Sequence, residues 1–243
     1  MLNLIIAEAA LELVPPEIAG HASVRNDAER RGAKTSEILL DRSIHHHAML
    51  KLPESEKRGR PDLVHLTLLS VTSTPLYLSG RVKVFIHTRE NVVLELKEGT
   101  RPPKSYARFR DLARKLLVER PESGLIVAHD STIPELLSKI KTDLVVGLST
   151  QGRISTFDEV AVELLKAVNP TVLVGGFPKG HFTSETMSWL HLVIRVHPDA
   201  LDAHVVAARL IYEVERARAQ TEQARNNLRH QNIAPSVNAK KGD

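Results

Sequence analysis

The chain contains no cysteine. Disulfides, thiolate metal sites and cysteine nucleophiles are therefore excluded together, and the expected setting is cytoplasmic. No run approaches the roughly 20 apolar residues that a membrane helix needs, so no membrane association is expected. The N-terminus, Met1-Leu2-Asn3-Leu4-Ile5-Ile6-Ala7-Glu8, lacks a basic lead and meets an acid early. It reads as a first strand rather than a signal peptide. A Gly-x-Ser-x-Gly elbow, a P-loop and a His-Glu-x-x-His pair are all missing, which argues against hydrolase and NTPase readings. Net charge is only +4 and is weak evidence for a nucleic-acid partner by itself.

What is present is an ordinary globular composition, 42% apolar and 26% charged over 243 residues. That length accommodates one sizeable domain. Strand-like runs fall at 2–7, 82–87, 92–96, 124–128, 143–148, 171–174 and 190–195. Helical patterns lie between them at about 16–31, 62–72, 104–119, 132–140, 157–168 and 199–217. Strands alternating with helices predict an α/β fold with a mostly parallel sheet. The runs at 82–87 and 92–96, four residues apart, read as an antiparallel hairpin, a small insertion at about 80–97. One domain is expected over 1–217. Beyond it, 218–243 is a polar tail, expected to prolong the last helix for a turn or two and then to be partly disordered.

The segment Val172-Leu173-Val174-Gly175-Gly176-Phe177-Pro178-Lys179-Gly180 ends an apolar run in a glycine-rich loop. Such a loop lets the backbone approach a ligand closely, and strand ends are where α/β sheets hold cofactors. Its spacing is not the dinucleotide fingerprint. Two further loops, 147–152 and 194–199, follow strand-like runs. If the three strands are neighbours, their loops enclose one ligand. Backbone groups would then read an adenine edge, and Leu148, Phe177, Ile194 and Leu201 would cover its faces.

Charge is clustered. Residues 97–120 hold eight Lys or Arg against three acids. Arg101, Lys104, Arg108 and Lys115 share about 60° of arc if helical geometry extends back to 101. Phe109, Leu112, Ala113, Leu116 and Leu117 form the apolar face. In Lys57-Arg58-Gly59-Arg60-Pro61-Asp62, Pro61 suits the first position of a helix and Asp62 its first turn. Arg60 could bind phosphate, and Asp62 could accept a proton or a base N–H. Three consecutive histidines, His45-His46-His47, cannot all face one ion from a single element, and no metal site is expected.

Together these segments resemble the ribosome-biogenesis pseudouridine methyltransferases of the SPOUT, or trefoil-knotted, class. The likeness covers roughly residues 2–215. It is carried by Asp41-Arg42-Ser43, Arg58-Gly59-Arg60-Pro61-Asp62-Leu63-Val64-His65, Thr100-Arg101-Pro102-Pro103-Lys104-Ser105-Tyr106-Ala107-Arg108-Phe109, the glycine loop and Ile194–Leu201. The resemblance implies a C-terminal trefoil knot, a homodimer and S-adenosyl-methionine as cofactor. It assigns Leu148, Ser149, Thr150, Gly175, Gly180, Ile194, Arg195, Val196, His197, Pro198 and Asp199 to the cofactor. It assigns Arg60, Asp62, Arg101, Lys104 and Arg108 to the RNA. Lys104 replaces an arginine of eukaryotic members, and His197-Pro198-Asp199-Ala200 departs from their last loop.

The implied reaction is methylation of the first ring nitrogen of a pseudouridine in small-subunit ribosomal RNA, with a role in subunit assembly. Asp62 is the candidate to bind or accept the departing proton. Two alternatives are an RNA-binding assembly factor with secondary or no methyl transfer, and a SPOUT enzyme acting on transfer RNA.

Overall fold

Leu2–Ala9 is buried on both faces along almost its whole length, as a central strand of a parallel sheet must be. The computed structural model describes residues 1–233 of the chain. The strands are β1 (Leu2–Ala9), β2 (Val82–Thr88), β3 (Val92–Leu96), β4 (Ile126–Asp130), β5 (Leu144–Ile154), β6 (Pro170–Gly175) and β7 (Leu192–Arg195). The helices are α1 (Ala22–Arg31), α2 (Arg42–Met49), α3 (Pro61–Thr72), α4 (Pro75–Leu78), α5 (Tyr106–Glu119), α6 (Ile133–Ile140), α7 (Phe157–Lys166), α8 (Ser184–Ser188) and α9 (Ala203–Ile233).

The seven strands form one sheet in the order β4-β3-β2-β1-β6-β5-β7. β3 alone runs against the others. The hairpin β2–β3 is continuous with this sheet, since β2 pairs with β1 and β3 with β4. Alternation sorts the core. Leu2, Leu4 and Ile6 face a large cluster beneath α3, α5, α7 and α9, while Ile5 and Ala7 face a smaller one with Ile133, Leu136 and Phe182. Capping boxes at Thr132/Glu135 and Thr156/Glu159 start α6 and α7.

Two elements depart from the sequence expectation. β5 does not stop at Leu148: after a register shift it pairs again with β7, Arg153 opposite Ile194. α9 does not stop at 217 but continues through Ile233. The rest of the tail, 234–243, lies outside the described residues.

Candidate active site

Parallel register brings the predicted loops to one edge. Leu148 stands opposite Val174 on one side and Ile194 on the other, and Gly175 lies beside Ala7. The loops leaving β6 and β7, with the continuation of β5, enclose a cleft of about 740 Å³ of empty space, including its open mouth. Ten of the eleven residues assigned to the cofactor line it: Leu148, Ser149, Thr150, Gly175, Gly180, Ile194, Arg195, Val196, His197 and Asp199. Pro198 does not; it is exposed at the tip of the last loop, which is closed by the Asp199 N–H donating to His197 Nδ1 at 3.1 Å.

The cleft is apolar where strand ends meet it. Leu148, Val174 and Ile194 are buried beneath it, and Phe177, Leu201 and Val206 complete the walls. Apolar walls beside main-chain groups at strand ends fit the adenine of S-adenosyl-methionine, a flat neutral heterocycle. Two glycines explain the loop. A Cβ on Gly176 would stand 2.7 Å from Ala9 Cα and 2.8 Å from Ile6, so the chain can pass β1 only without a side chain. Gly180 has φ +94°, in the region that favours glycine, and packs on the Lys57 stem.

From here the main chain connects the cleft to the charged segment. Gly176 N–H donates to Ala7 O at 2.7 Å, Ala10 N–H to Gly176 O at 2.8 Å, and Arg60 N–H to Ala10 O at 3.0 Å. The end of β1 is therefore shared. A bulge helps: the β1–β2 register shifts between Ile6 and Ala9, and Glu8 takes φ +50°. That turns its carboxylate to accept from the N–H and hydroxyl of Thr183, both at 2.8 Å, behind the glycine loop.

Arg60 and Asp62 face each other in a bidentate pair, Nε–Oδ1 2.8 Å and Nη2–Oδ2 2.9 Å. Burial raises the Asp62 pKa, but the Arg60 guanidinium and the backbone N–H groups of the helix start outweigh it, and the carboxyl is held below its ordinary range. Arg101, Lys104 and Arg108 are exposed, and none makes an ion pair with a described residue. They do not share a helical face. α5 begins at Tyr106 after Ser105, so Arg101 and Lys104 precede it. Pro102 and Pro103 hold that stretch out of the helix. It is pinned by His65 Nε2 on Pro103 O at 2.7 Å and by the Tyr77 hydroxyl donating to Thr100 O at 2.6 Å.

The histidine run is structural in its first member. His45 is fully buried in α2, its Nδ1 accepts from Asp41 N–H at 3.1 Å, and burial lowers its pKa. Asp41 caps α2 through Ser43 and accepts from the Tyr106 hydroxyl at 2.6 Å, tying α2 to α5. Among the described residues no group of three or more His, Asp or Glu is placed to hold a metal.

Three contributors escape sequence reasoning. Arg58 and Glu12 form a buried bidentate pair, with Nε at 3.0 and 3.1 Å from the two carboxylate oxygens. Lys57 Nζ donates to His181 O at 2.7 Å and lies 5.2 Å from the Phe177 ring centre, linking the charged segment to the glycine loop. Phe182 closes the cleft floor. Lys57 and Arg58 lie in a visibly basic cluster, but nothing in the sequence pairs them with partners 124 and 46 residues away.

A family model described as EMG1/NEP1 methyltransferase matches residues 4–215 of the chain. The ribosomal RNA small subunit methyltransferase Nep1 of Thermococcus sibiricus is 39% identical over 187 residues, 76% of this chain and 85% of the relative. The protein of the same name from Methanothrix thermoacetophila is 34% identical over 219 residues, 88% of this chain and 96% of the relative. The crystal structure of Archaeoglobus fulgidus Nep1 bound to S-adenosylhomocysteine superposes with a TM-score of 0.79 at 34% identity, covering 89% of this chain and 98% of that one.

Proposed function

The chain belongs to the EMG1/NEP1 methyltransferase family, and we propose that it methylates the first ring nitrogen of a pseudouridine in small-subunit ribosomal RNA. Methyl transfer to ribosomal RNA from S-adenosyl-methionine is the activity of the family, whose relatives carry that substrate in their names. The specific nitrogen is our own reading. The observation that carries it is a carboxylate, Asp62, on a segment hydrogen-bonded through Ala10, just past β1, to the cofactor loop. An imide-like N–H must lose its proton as the methyl arrives, and Asp62 is the carboxylate assigned to receive it.

When bound, the cofactor supplies an electrophilic methyl on a sulfonium. The N1–CH3 bond forms as the S–CH3 bond breaks, and the N1 proton passes to Asp62. In the free protein Asp62 is a weak base because Arg60 holds it ionised. An RNA phosphate that draws Arg60 away leaves the Asp62 oxygens facing the base with a higher proton affinity. Arg60 is thus the phosphate ligand that also arms the base. Arg101, Lys104 and Arg108, without ion-pair partners among the described residues, hold the backbone of a single-stranded loop. The ten cleft residues and Pro198 keep the cofactor assignment made above.

Matched RNA oligomers carrying uridine or pseudouridine at one site test this reading. Turnover on the pseudouridine RNA alone is expected, and equal turnover on both overturns the N1 assignment. Asp62→Asn is expected to lower kcat by about 10²–10⁴-fold. An unchanged kcat removes Asp62 from the chemistry.

We further infer a cytoplasmic homodimer with the C-terminal knot of the SPOUT class and a part in small-subunit assembly. Pairing is supported by the exposed apolar side chains of Ile154, Val162 and Tyr212 on β5, α7 and α9, and sedimentation tests it. No helix among the described residues is long and apolar enough to cross a membrane.

A further inference from the structure

The glycine loop does not support its own shape. Gly176 is tied to the end of β1 by two main-chain bonds, but from Phe177 to Phe182 no main-chain group bonds to another. Within that stretch only His181 O is held, by the Lys57 ammonium. Yet Gly180, His181 and Phe182 all line the cleft. The loop ends at Thr183, the N-cap of α8, and the next support stands there.

That support is Glu8. Among the described residues five other than glycine have positive φ: Glu8, Glu54, Asn91, Arg120 and Lys141. Arg120 and Lys141 end α5 and α6, Asn91 lies in the turn between β2 and β3, and Glu54 starts a short 3-10 turn. Left-handed backbone is common at such places. Glu8 alone of the five is inside a strand. Ile6 stands opposite Ile86 and Ala9 opposite Thr88, so Ala7 and Glu8 together face the single residue His87. His87 is buried, and its Nδ1 receives the Glu8 N–H at 3.4 Å while its Nε2 meets Asn91 Oδ1 at 3.1 Å.

The bulge turns the Glu8 carboxylate out of the strand and onto the far end of the loop. One oxygen, Oε1, accepts from both the N–H and the hydroxyl of Thr183 at 2.8 Å. Glycine would take φ +50° without strain and glutamate does not. What glutamate adds is the acceptor, placed one residue from the cleft wall.

We propose that Glu8 is a positioning residue for S-adenosyl-methionine: it anchors Thr183 and so holds Gly180, His181 and Phe182 in the cleft wall. The role rests on the cleft being the cofactor site. Glu8 does not itself line the cleft, so it acts on cofactor binding rather than on the methyl-transfer step.

The test compares the full-length protein with Glu8→Gly and Glu8→Gln by calorimetry with S-adenosyl-methionine and with S-adenosylhomocysteine. Glu8→Gly removes the acceptor but suits the backbone. It should unfold close to the wild-type temperature, because relief of φ offsets the added freedom of the unfolded chain. It should bind both ligands about tenfold more weakly, the loss of a charged acceptor. Glu8→Gln keeps an acceptor oxygen and should recover most of that affinity. In methylation assays Glu8→Gly should raise KM for S-adenosyl-methionine and leave kcat at saturating cofactor unchanged, the pattern of lost uniform binding. RNA affinity should not change. Full cofactor affinity in Glu8→Gly overturns the role. So does a loss confined to S-adenosyl-methionine, which would mean that the carboxylate acts on the sulfonium charge and not on the loop. A fall in affinity that only follows an equal fall in unfolding temperature in both variants overturns it too. Gly176→Ala, measured alongside, separates this role from the cleft assignment. If it weakens cofactor binding while Glu8→Gly does not, the cleft assignment stands and the Glu8 role fails; if neither does, both fail.

Discussion

The cleft and the Arg58–Asp62 segment lie on either side of the end of β1, yet they are held by different forces. The cleft is walled by Leu148, Ile194, Leu201 and Val206, and its glycine loop is fixed by main-chain bonds to Ala7 and Ala10. The charged segment shares such a main-chain bond, Arg60 N–H to Ala10 O, and adds ion pairs: Arg58 with Glu12, Arg60 with Asp62 within it, and Arg89 with Glu54 beside it. In the proposed reading, one side would recognise a neutral heterocycle by shape and the other a polyanion by charge. Exposed charge is screened over about 8 Å at physiological salt, and apolar contact is not. The two sides should therefore fail separately when salt or sequence is changed.

The sharpest way to break this contrast is to remove the buried charge on which the segment stands. Glu12→Ala leaves the Arg58 guanidinium buried without a partner, and the expected loss of stability is about 3–5 kcal/mol, read by urea denaturation. Glu12→Met/Arg58→Met removes both charges and should recover most of that loss. If single and double variants are equally destabilised, packing rather than charge holds the segment, and the contrast falls.

The cleft side is broken differently. Gly176→Ala places a methyl 2.7 Å from Ala9 Cα and 2.9 Å from Ala9 Cβ, where β1 cannot give way without disturbing the sheet. Overpacking of this kind costs about 1–3 kcal/mol. Calorimetry should show weakened S-adenosyl-methionine binding, while filter binding of RNA at low salt changes little. Equal loss of both ligands would mean that the shared end of β1 transmits the damage, and that the two sides are one unit.

The cleft was legible in the sequence because its signals are local. Apolar runs ending in glycine mark strand ends, and parallel sheets put strand ends on one edge, so 148–150, 175–180 and 194–199 could be brought together. The charged side depends on pairings between distant residues, such as Lys57 with His181, and no local pattern encodes them. Polar residues can also mislead. The stretch 147–152 reads as a loop, but it lies within β5, which pairs again with β7 at Arg153 opposite Ile194. The stretch after 217 reads as a tail because apolar residues vanish, yet Ala, Gln, Arg and Glu favour a helix whether or not it is buried. Lys104, read as the first residue of the helix, precedes α5, and helical geometry does not extend back to Arg101, from which two prolines separate it.

The smallest expected effect sharpens the contrast most. Arg108 projects from the first turn of α5, exposed and without an ion-pair partner among the described residues, so Arg108→Gln should leave stability unaltered. If it meets one phosphate, its loss lowers the salt slope of RNA binding by about 0.7 and weakens binding most at low salt. Affinity for S-adenosyl-methionine should not move at any salt, because no residue of α5 lines the cleft. Titrating both ligands at several salt concentrations checks this in one experiment. A salt-dependent change in cofactor affinity would show that charge on the RNA side reaches the cleft through the end of β1, and the separation of shape from charge would then hold only for the free protein.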